Sequence, residues 1–215
     1  MRRSSRSNAF RKNPVARNLL LIVALLHCGA MVSPAQVQQN SAVPKTGNLE
    51  LAISYNAAYA GQANGNQFWL SGGNAELAGH FYRGLSVIAN ITGLHTAHTG
   101  AGVPLNLLIA TFGPRYSWRV ARRAPTAHSV SIFGEGLVGE AHGFGGLFPA
   151  PGGANSVASS LALQAGGGLD IPLAQHLSLR ALQASWLRTQ LPNTTTNVQN
   201  NLQLGIGIVF HSAAR

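Results

Sequence analysis

The chain has 215 residues, 46% of them hydrophobic and only 9% charged, where a soluble domain carries roughly 25% charged residues. That composition excludes a disordered tail, which lacks apolar residues to bury, and leaves little charge to hydrate a soluble surface. The formal charge of +10 is no nucleic-acid footprint: six of the 15 basic residues fall in the first 17 positions, and beyond residue 35 nine basic residues face five acidic ones.

Arg2, Arg3, Arg6, Arg11, Lys12 and Arg17 precede the apolar run Leu19-Leu20-Leu21-Ile22-Val23-Ala24-Leu25-Leu26. Ser33 and Ala35 then stand at the −3 and −1 positions of a cleavage site before Gln36. This is the layout of a secretory signal peptide, so 1–35 is expected to be a signal helix that is cleaved. The apolar run is too short for a membrane-spanning helix. Cys28, the only cysteine, lies within it. Cleavage therefore leaves no disulfide, thiolate metal site or cysteine nucleophile. Residues 36–47 read as a polar linker.

From there the pattern is period two. In 157–173 Val157, Leu161, Leu163, Leu169, Ile171 and Leu173 share one parity, against Ser160, Gln164, Gly166, Gly168 and Asp170. Such alternation marks a strand between two environments. Of the 25 glycines, 24 lie beyond residue 35 and interrupt apolar runs, which argues against helices. Eight strands are predicted, at 48–60, 67–82, 85–97, 106–119, 128–142, 157–171, 176–189 and 200–210. Connections at 83–84, 120–127 and 172–175 are compact. Those at 61–66, 98–105, 143–156 and 190–199 are generally longer and rich in Gly, Asn, Thr and Pro. An even count with alternating short and long connections predicts an all-β fold over 48–210, an antiparallel up-and-down transmembrane β-barrel. Residues 211–215 remain as a short tail. The phase breaks twice. Ala184 and Trp186 share the face of Leu177, Leu179 and Ala181 only after a one-residue shift, and a similar break falls between Glu135 and Glu140. A β-bulge absorbs each shift, or a strand boundary is misplaced.

One face of these strands is mostly Gly, Ser, Ala, Asn and Gln, which suits a narrow barrel interior. The apolar face then points outward, which only lipid tolerates, and closure leaves no polar edge in hydrocarbon. Trp69, Tyr82, Tyr116, Trp118 and Trp186, near strand ends, are expected to form interfacial girdles.

The closing segment Gln203-Leu204-Gly205-Ile206-Gly207-Ile208-Val209-Phe210 runs polar, any, Gly, any, any, apolar, any, aromatic. With the export signal and the eight strands it resembles the small eight-stranded outer-membrane barrels of the OmpA/OmpX type. The segments Gly113-Pro114-Arg115-Tyr116-Ser117 and Gly166-Gly167-Gly168-Leu169-Asp170-Ile171-Pro172 resemble such proteins as well. The resemblance covers 48–210 and implies residence in a bacterial outer membrane, in contact with its lipid. It also implies assembly by the barrel-insertion machinery and periplasmic chaperones, with Gln203, Gly205, Ile208 and Phe210 as the assembly signal. Two departures stand out: residues 211–215 follow the aromatic residue, and the peptidoglycan-binding domain of OmpA proper is not expected.

On the expected interior face Glu76, Arg115, Glu135 and Arg180 are candidates for lumen ion pairs, joined by Arg119 and Asp170 near the short-turn end, with Glu50 at the rim. A buried charge has to be paired, so these residues form either a fixed plug or a gate. His80 and His142 are expected to line the interior or a loop mouth. His95 and His98, three apart, do not share a strand face, and no metal site or cofactor is expected. In His128-Ser129 and His211-Ser212 the neighbours point to opposite faces, so no catalytic residue is assigned. The Gly-rich stretch 143–153 lacks the Lys-Ser/Thr of a phosphate loop. The expected function is that of a monomeric barrel with both termini in the periplasm, a structural, surface-presenting role and at most a narrow pore. A weakly selective small-solute or ion channel and, after it, a lipid-modifying enzyme are the alternatives.

Overall fold

The computed structural model describes residues 49–61, 67–99, 102–120, 130–193 and 196–212. The expected signal segment with Cys28, the linker 36–47, His128-Ser129 and residues 213–215 lie outside the described residues. Eight strands are present: β1 (Leu49–Gly61), β2 (Gln67–Tyr82), β3 (Leu85–Thr96), β4 (Leu105–Val120), β5 (Val130–Ala150), β6 (Gly153–Ala174), β7 (Leu177–Thr189) and β8 (Gln199–His211). Each pairs antiparallel with its chain neighbour, and β8 closes on β1 over Glu50↔His211 to Tyr59↔Leu202.

Alternation decides what faces where. Along β1 Glu50, Ala52, Ser54 and Asn56 are buried inside, while Leu51, Ile53 and Tyr55 are exposed outside. The same inversion recurs on β3, where Asn90 and Thr92 point inward and Val87 and Ile91 outward. A closed sheet satisfies its backbone groups internally, so a polar lumen inside an apolar wall is stable in hydrocarbon and not in water.

At the end where the chain enters the barrel, Arg83 and Gly84 link β2 to β3 with φ of 28° and 86°. Two left-handed residues in a row make a tight hairpin whose twist matches its strands. Gly84 takes its conformation without a Cβ penalty, and its carbonyl accepts the Ser117 N–H at 2.8 Å.

The expected loop at 143–156 is a correction. β5 and β6 run on as a ladder to Ala150↔Gly153 and turn at Pro151-Gly152. The glycines there serve a bulge: Gly145 has φ of 73°, and the register shifts between Phe144 and Phe148. That shift leaves Phe144 outside and turns Phe148 into the lumen. Between Glu135 and Glu140, in contrast, the ladder keeps its register. No bulge rescues Glu140, which is exposed on the outer wall. In β7 the register shifts between Arg180 and Gln183, where the sequence phase breaks. β8 includes His211, and Ser212 N donates to Leu49 O at 2.9 Å, so the ladder outlasts the expected boundary at 210.

Ile91 is 56% exposed in mid-strand. Ile91→Arg should cost about 2–4 kcal/mol in barrels folded into liposomes, read by denaturant unfolding. A loss below about 0.5 kcal/mol, ordinary for a wall in water, would contradict a lipid-facing surface.

Candidate functional site

Eight inward-facing rows converge on a narrow lumen, and its charge collects toward the end where the chain enters. Arg115 on β4 and Arg180 on β7 are only 2% and 0% exposed. Arg115 Nη1 lies 2.5 Å from Glu76 Oε1, its Nε donates to Glu135 Oε2 at 3.0 Å, and its Nη2 binds the same oxygen. Arg180 Nη1 donates to Glu76 Oε1 at 2.9 Å. Its Nε and Nη2 donate to the two Asp170 oxygens at 2.9 and 3.1 Å, a bidentate pair. Glu76 Oε1 therefore bridges two guanidiniums. Both guanidiniums also lie over the ring of Phe133, at 4.1 and 4.5 Å from its centroid. The ring has room because Gly168 has no side chain: a Cβ there would stand 2.6 Å from Phe133 Cζ.

Glu50 is not at a solvated rim, as its position near the strand end suggested. It is buried, because the cluster forms at that end. Its Oε1 lies 3.6 Å from Arg115 Nη1 and 3.5 Å from Arg180 Nη2. Its Oε2 meets His80 Nε2 at 3.1 Å and His211 Nδ1 at 3.6 Å, and His211 Nε2 pairs with Ser178 Oγ at 2.9 Å. Gln183 Nε2 donates to Glu135 Oε1 at 3.0 Å. Glu76, Arg115, Glu135, Arg180 and Asp170 thus meet in one cluster, and Glu50, Phe133, His80 and Gln183 join it. Arg119 is exposed near the end of β4, on the rung of Ser131 and Asp170. His142 is a further correction. Its neighbours Ala141 and Gly143 face inward, so its ring lies on the outer wall, bonded to Ser159 Oγ at 2.7 Å.

Above the charges lies a layer of amides and hydroxyls. Asn74 Nδ2 donates to Thr92 Oγ1 at 3.1 Å, which donates to Asn90 Oδ1 at 2.9 Å. Opposite, Gln164 Nε2 donates to Ser185 Oγ at 3.3 Å, which donates to Gln203 Oε1 at 3.2 Å. The loop end departs from the expected small, polar interior: Ala58, Leu70, Leu94, Leu107, Ile109, Phe148 and Leu187 form a buried apolar cluster. The lumen is graded along its axis from charged through polar to apolar.

On the outside, Trp69 packs on Tyr59 at 5.0 Å toward the loop end, and Tyr116 on Trp118 at 4.7 Å toward the other. Tyr82 is exposed beside the Arg83 turn, and Trp186 is exposed within β7. On β8 Gln203 points inward, Gly205 approaches Asn56, and Ile208 and Phe210 face outward.

Solved structures share this architecture. The attachment invasion locus protein Ail of Yersinia pestis matches with 17% identity and a TM-score of 0.52, over 78% of this chain and 100% of that one. Neisserial surface protein A matches with 13% identity and a TM-score of 0.54, over 77% of this chain and 98% of that one. This is the fold of a small outer-membrane β-barrel. No family model matches the chain, and no curated protein matches it. With its apolar wall, the barrel belongs in a bacterial outer membrane.

Breaking a buried pair strands a charge and costs about 3–5 kcal/mol. Glu76→Gln, which leaves two guanidiniums short of one carboxylate, should lose about that much in denaturant unfolding of the refolded barrel. Glu140→Gln, which takes a charge off the lipid-facing wall on the rung of Ile91 and Ala110, should lose nothing and hold or raise stability. Equal losses would mean that the lumen cluster contributes nothing specific.

Proposed function

We propose that this protein is a monomeric outer-membrane barrel with a closed lumen, a scaffold that holds exposed connections at the outer face. One observation carries the reading: both lumen guanidiniums are fully buried and each is held by at least two carboxylates. Eight strands leave an interior barely wide enough for its own side chains, and these charges fill it. A channel would need the cluster to part. At about 3 kcal/mol or more for a broken buried pair, the open form would hold under roughly 1% of the population. The reading assigns no catalytic residue and no nucleic-acid partner.

Both termini lie on the periplasmic side in this reading, since an even number of strands returns the chain to its starting face and longer loops face outward. The barrel's partners are outer-membrane lipid, the insertion machinery and periplasmic chaperones. Phe210 and Ile208 face outward on the closing strand, where that machinery can read them while the inward side chains fill the lumen.

In planar bilayers the refolded barrel should pass no steady current, and Phe133→Ala, which removes the ring beneath both guanidiniums, should produce discrete openings. A steady current from the unmodified barrel would sink the closed-lumen reading.

Phe210→Ala should fold in detergent with little loss, because a ring at a lipid boundary gives up less than the roughly 3–5 kcal/mol of a packed core. It should insert poorly in cells, while removal of residues 213–215 leaves insertion intact. Normal insertion of Phe210→Ala beside failure of the trimmed chain would show that the signal lies elsewhere.

A further inference from the structure

On the outer wall His142 of β5 and Ser159 of β6 stand opposite each other on one rung, with Nδ1 and Oγ 2.7 Å apart. We propose that this pair is a hydrolytic site, with Ser159 as nucleophile and His142 as its base, and that it cleaves carboxylic esters of long acyl chains in membrane lipid. The scaffold reading assigns no catalytic residue, and this inference goes beyond it; the two share only the lipid-facing wall.

Four observations lead there. First, nucleophilic catalysis needs a hydroxyl within hydrogen-bond reach of a base, and this pair has that separation on an open surface. Ser159 is exposed and His142 half-buried, with the Phe144 ring 6.1 Å from the imidazole. Second, with Nδ1 turned to Ser159, the other ring nitrogen is left for an acid. Glu140 is the next outward residue along β5, and it is exposed. An ionisable side chain in a membrane wall is costly and marks function. Third, Leu108, opposite His142, is near the loop end of β4, and the β6–β7 ladder stops at Ala162↔Thr189, short of Ser159. The pair therefore stands where the wall emerges toward water, the reagent that hydrolysis consumes. Fourth, a groove of about 400 Å³ lies in the wall beside it, lined by Phe112, Gly136, Val138, Leu163 and Trp186 among others. Val138 is the outward residue next to Glu140. The groove opens on hydrocarbon, so its occupant is an acyl chain, and the end of that chain points toward the pair.

The reaction balances without a change of oxidation state. Ser159 Oγ adds to the ester carbonyl carbon while its proton passes to His142 Nδ1. That proton goes to the departing alkoxide oxygen as the C–O bond breaks, which leaves an acyl-serine. Water then adds to the acyl carbon and gives its proton to Nδ1, and the proton returns to Ser159 Oγ as the fatty acid leaves. One ester and one water become one acid and one alcohol. Glu140 is a positioning residue, which acts only through the imidazole.

The probes are a dodecyl fluorophosphonate, which labels activated serines, and the p-nitrophenyl esters of lauric and acetic acid. With the full-length chain refolded into liposomes, the fluorophosphonate should modify Ser159 and no other serine, as located by peptide mass. Laurate turnover should fall about 10²–10⁴-fold in Ser159→Ala and in His142→Gln. Glu140→Gln should lower kcat by about tenfold with KM unchanged, while the barrel holds or gains stability; a merely structural residue would not separate the two. A Cβ at Gly136 meets no atom within 4 Å, so Gly136→Leu folds, and it should cut the preference for laurate over acetate by about tenfold, the effect of roughly two unburied methylenes. Fatty acid released from bilayers of diacyl phospholipid, or from bilayers carrying an acylated phosphoglycolipid, identifies which lipid supplies the ester. No adduct on Ser159, laurate turnover that survives Ser159→Ala, full kcat in Glu140→Gln, or release from neither bilayer would each overturn the proposal. The labelling and the bilayer assays use the unmodified chain and do not depend on any variant folding.

Discussion

The lumen is organised by one carboxylate oxygen. Glu76 Oε1 stands between Arg115 and Arg180, two cations that repel each other at short range in a low-dielectric interior. Everything near it makes that contact possible. Glu135 and Asp170 take the outer edges of the two guanidiniums, and Phe133 offers both the face of its ring. The ring in turn needs Gly168 opposite. Backbone geometry contributes as well. Arg180 and Gln183 are three apart, yet both are buried in the lumen, which strict alternation forbids. The register shift between them lets both point inward, so the bulge is what joins Arg180 and Gln183 to the same cluster.

With the charges confined to one end, the rest of the lumen relaxes toward carbon. The amides and hydroxyls are linked in short chains that cross neighbouring strands, and the final layer is apolar. The outer wall shows the opposite economy. Glu140 and Arg188 are outward-facing charges on either side of β6, opposite Leu161 and Leu163. Arg188 is one residue from the loop end of β7, and a charge near the membrane boundary costs about 0–1 kcal/mol instead of the midplane penalty. Glu140 has no such position: it stands in the middle of β5, on the rung of Ala110 and Ile91.

The eight strands were legible because an apolar wall imposes period two on every strand, and strand ends agreed with the structure to within a few residues where alternation was clean, as in β1, β3 and β8. The hairpin at 143–156 was not. Glycine and proline mark loops and bulges alike, and only the pairing of Phe148 with Asn155 separates the two. In the lumen, parity was enough to place Glu76, Arg115, Glu135 and Arg180 on one surface. It could not show that Glu50 is enclosed, since enclosure depends on how far neighbouring strands extend past it. Phe133 is not among the sequence candidates, although it shares the parity of Glu135. That shared parity is the signal that could have found it. The apolar layer had a signal too: Leu70, Leu94, Leu107 and Leu187 all hold inward parity near the loop ends of their strands.

The closing strand shows how much a period-two pattern can carry at once. Its outward residues Leu202, Leu204, Ile206, Ile208 and Phe210 continue the lipid wall. Its inward residues have to fit a lumen already occupied by seven other strands, and they are correspondingly small or amide-bearing. A Cβ at Gly205 would strike the Asn56 side chain, and one at Gly207 would strike the Ser54 side chain and the β1 backbone. The seam with β1 is then fastened beyond Phe210, by Ser212 to the Leu49 backbone and by His211 to Glu50. His211 therefore belongs to both systems, as the last rung of the barrel and as a side chain reaching the charged cluster. Closure of the sheet thus brings His211 within 3.6 Å of the carboxylate that also faces the lumen guanidiniums.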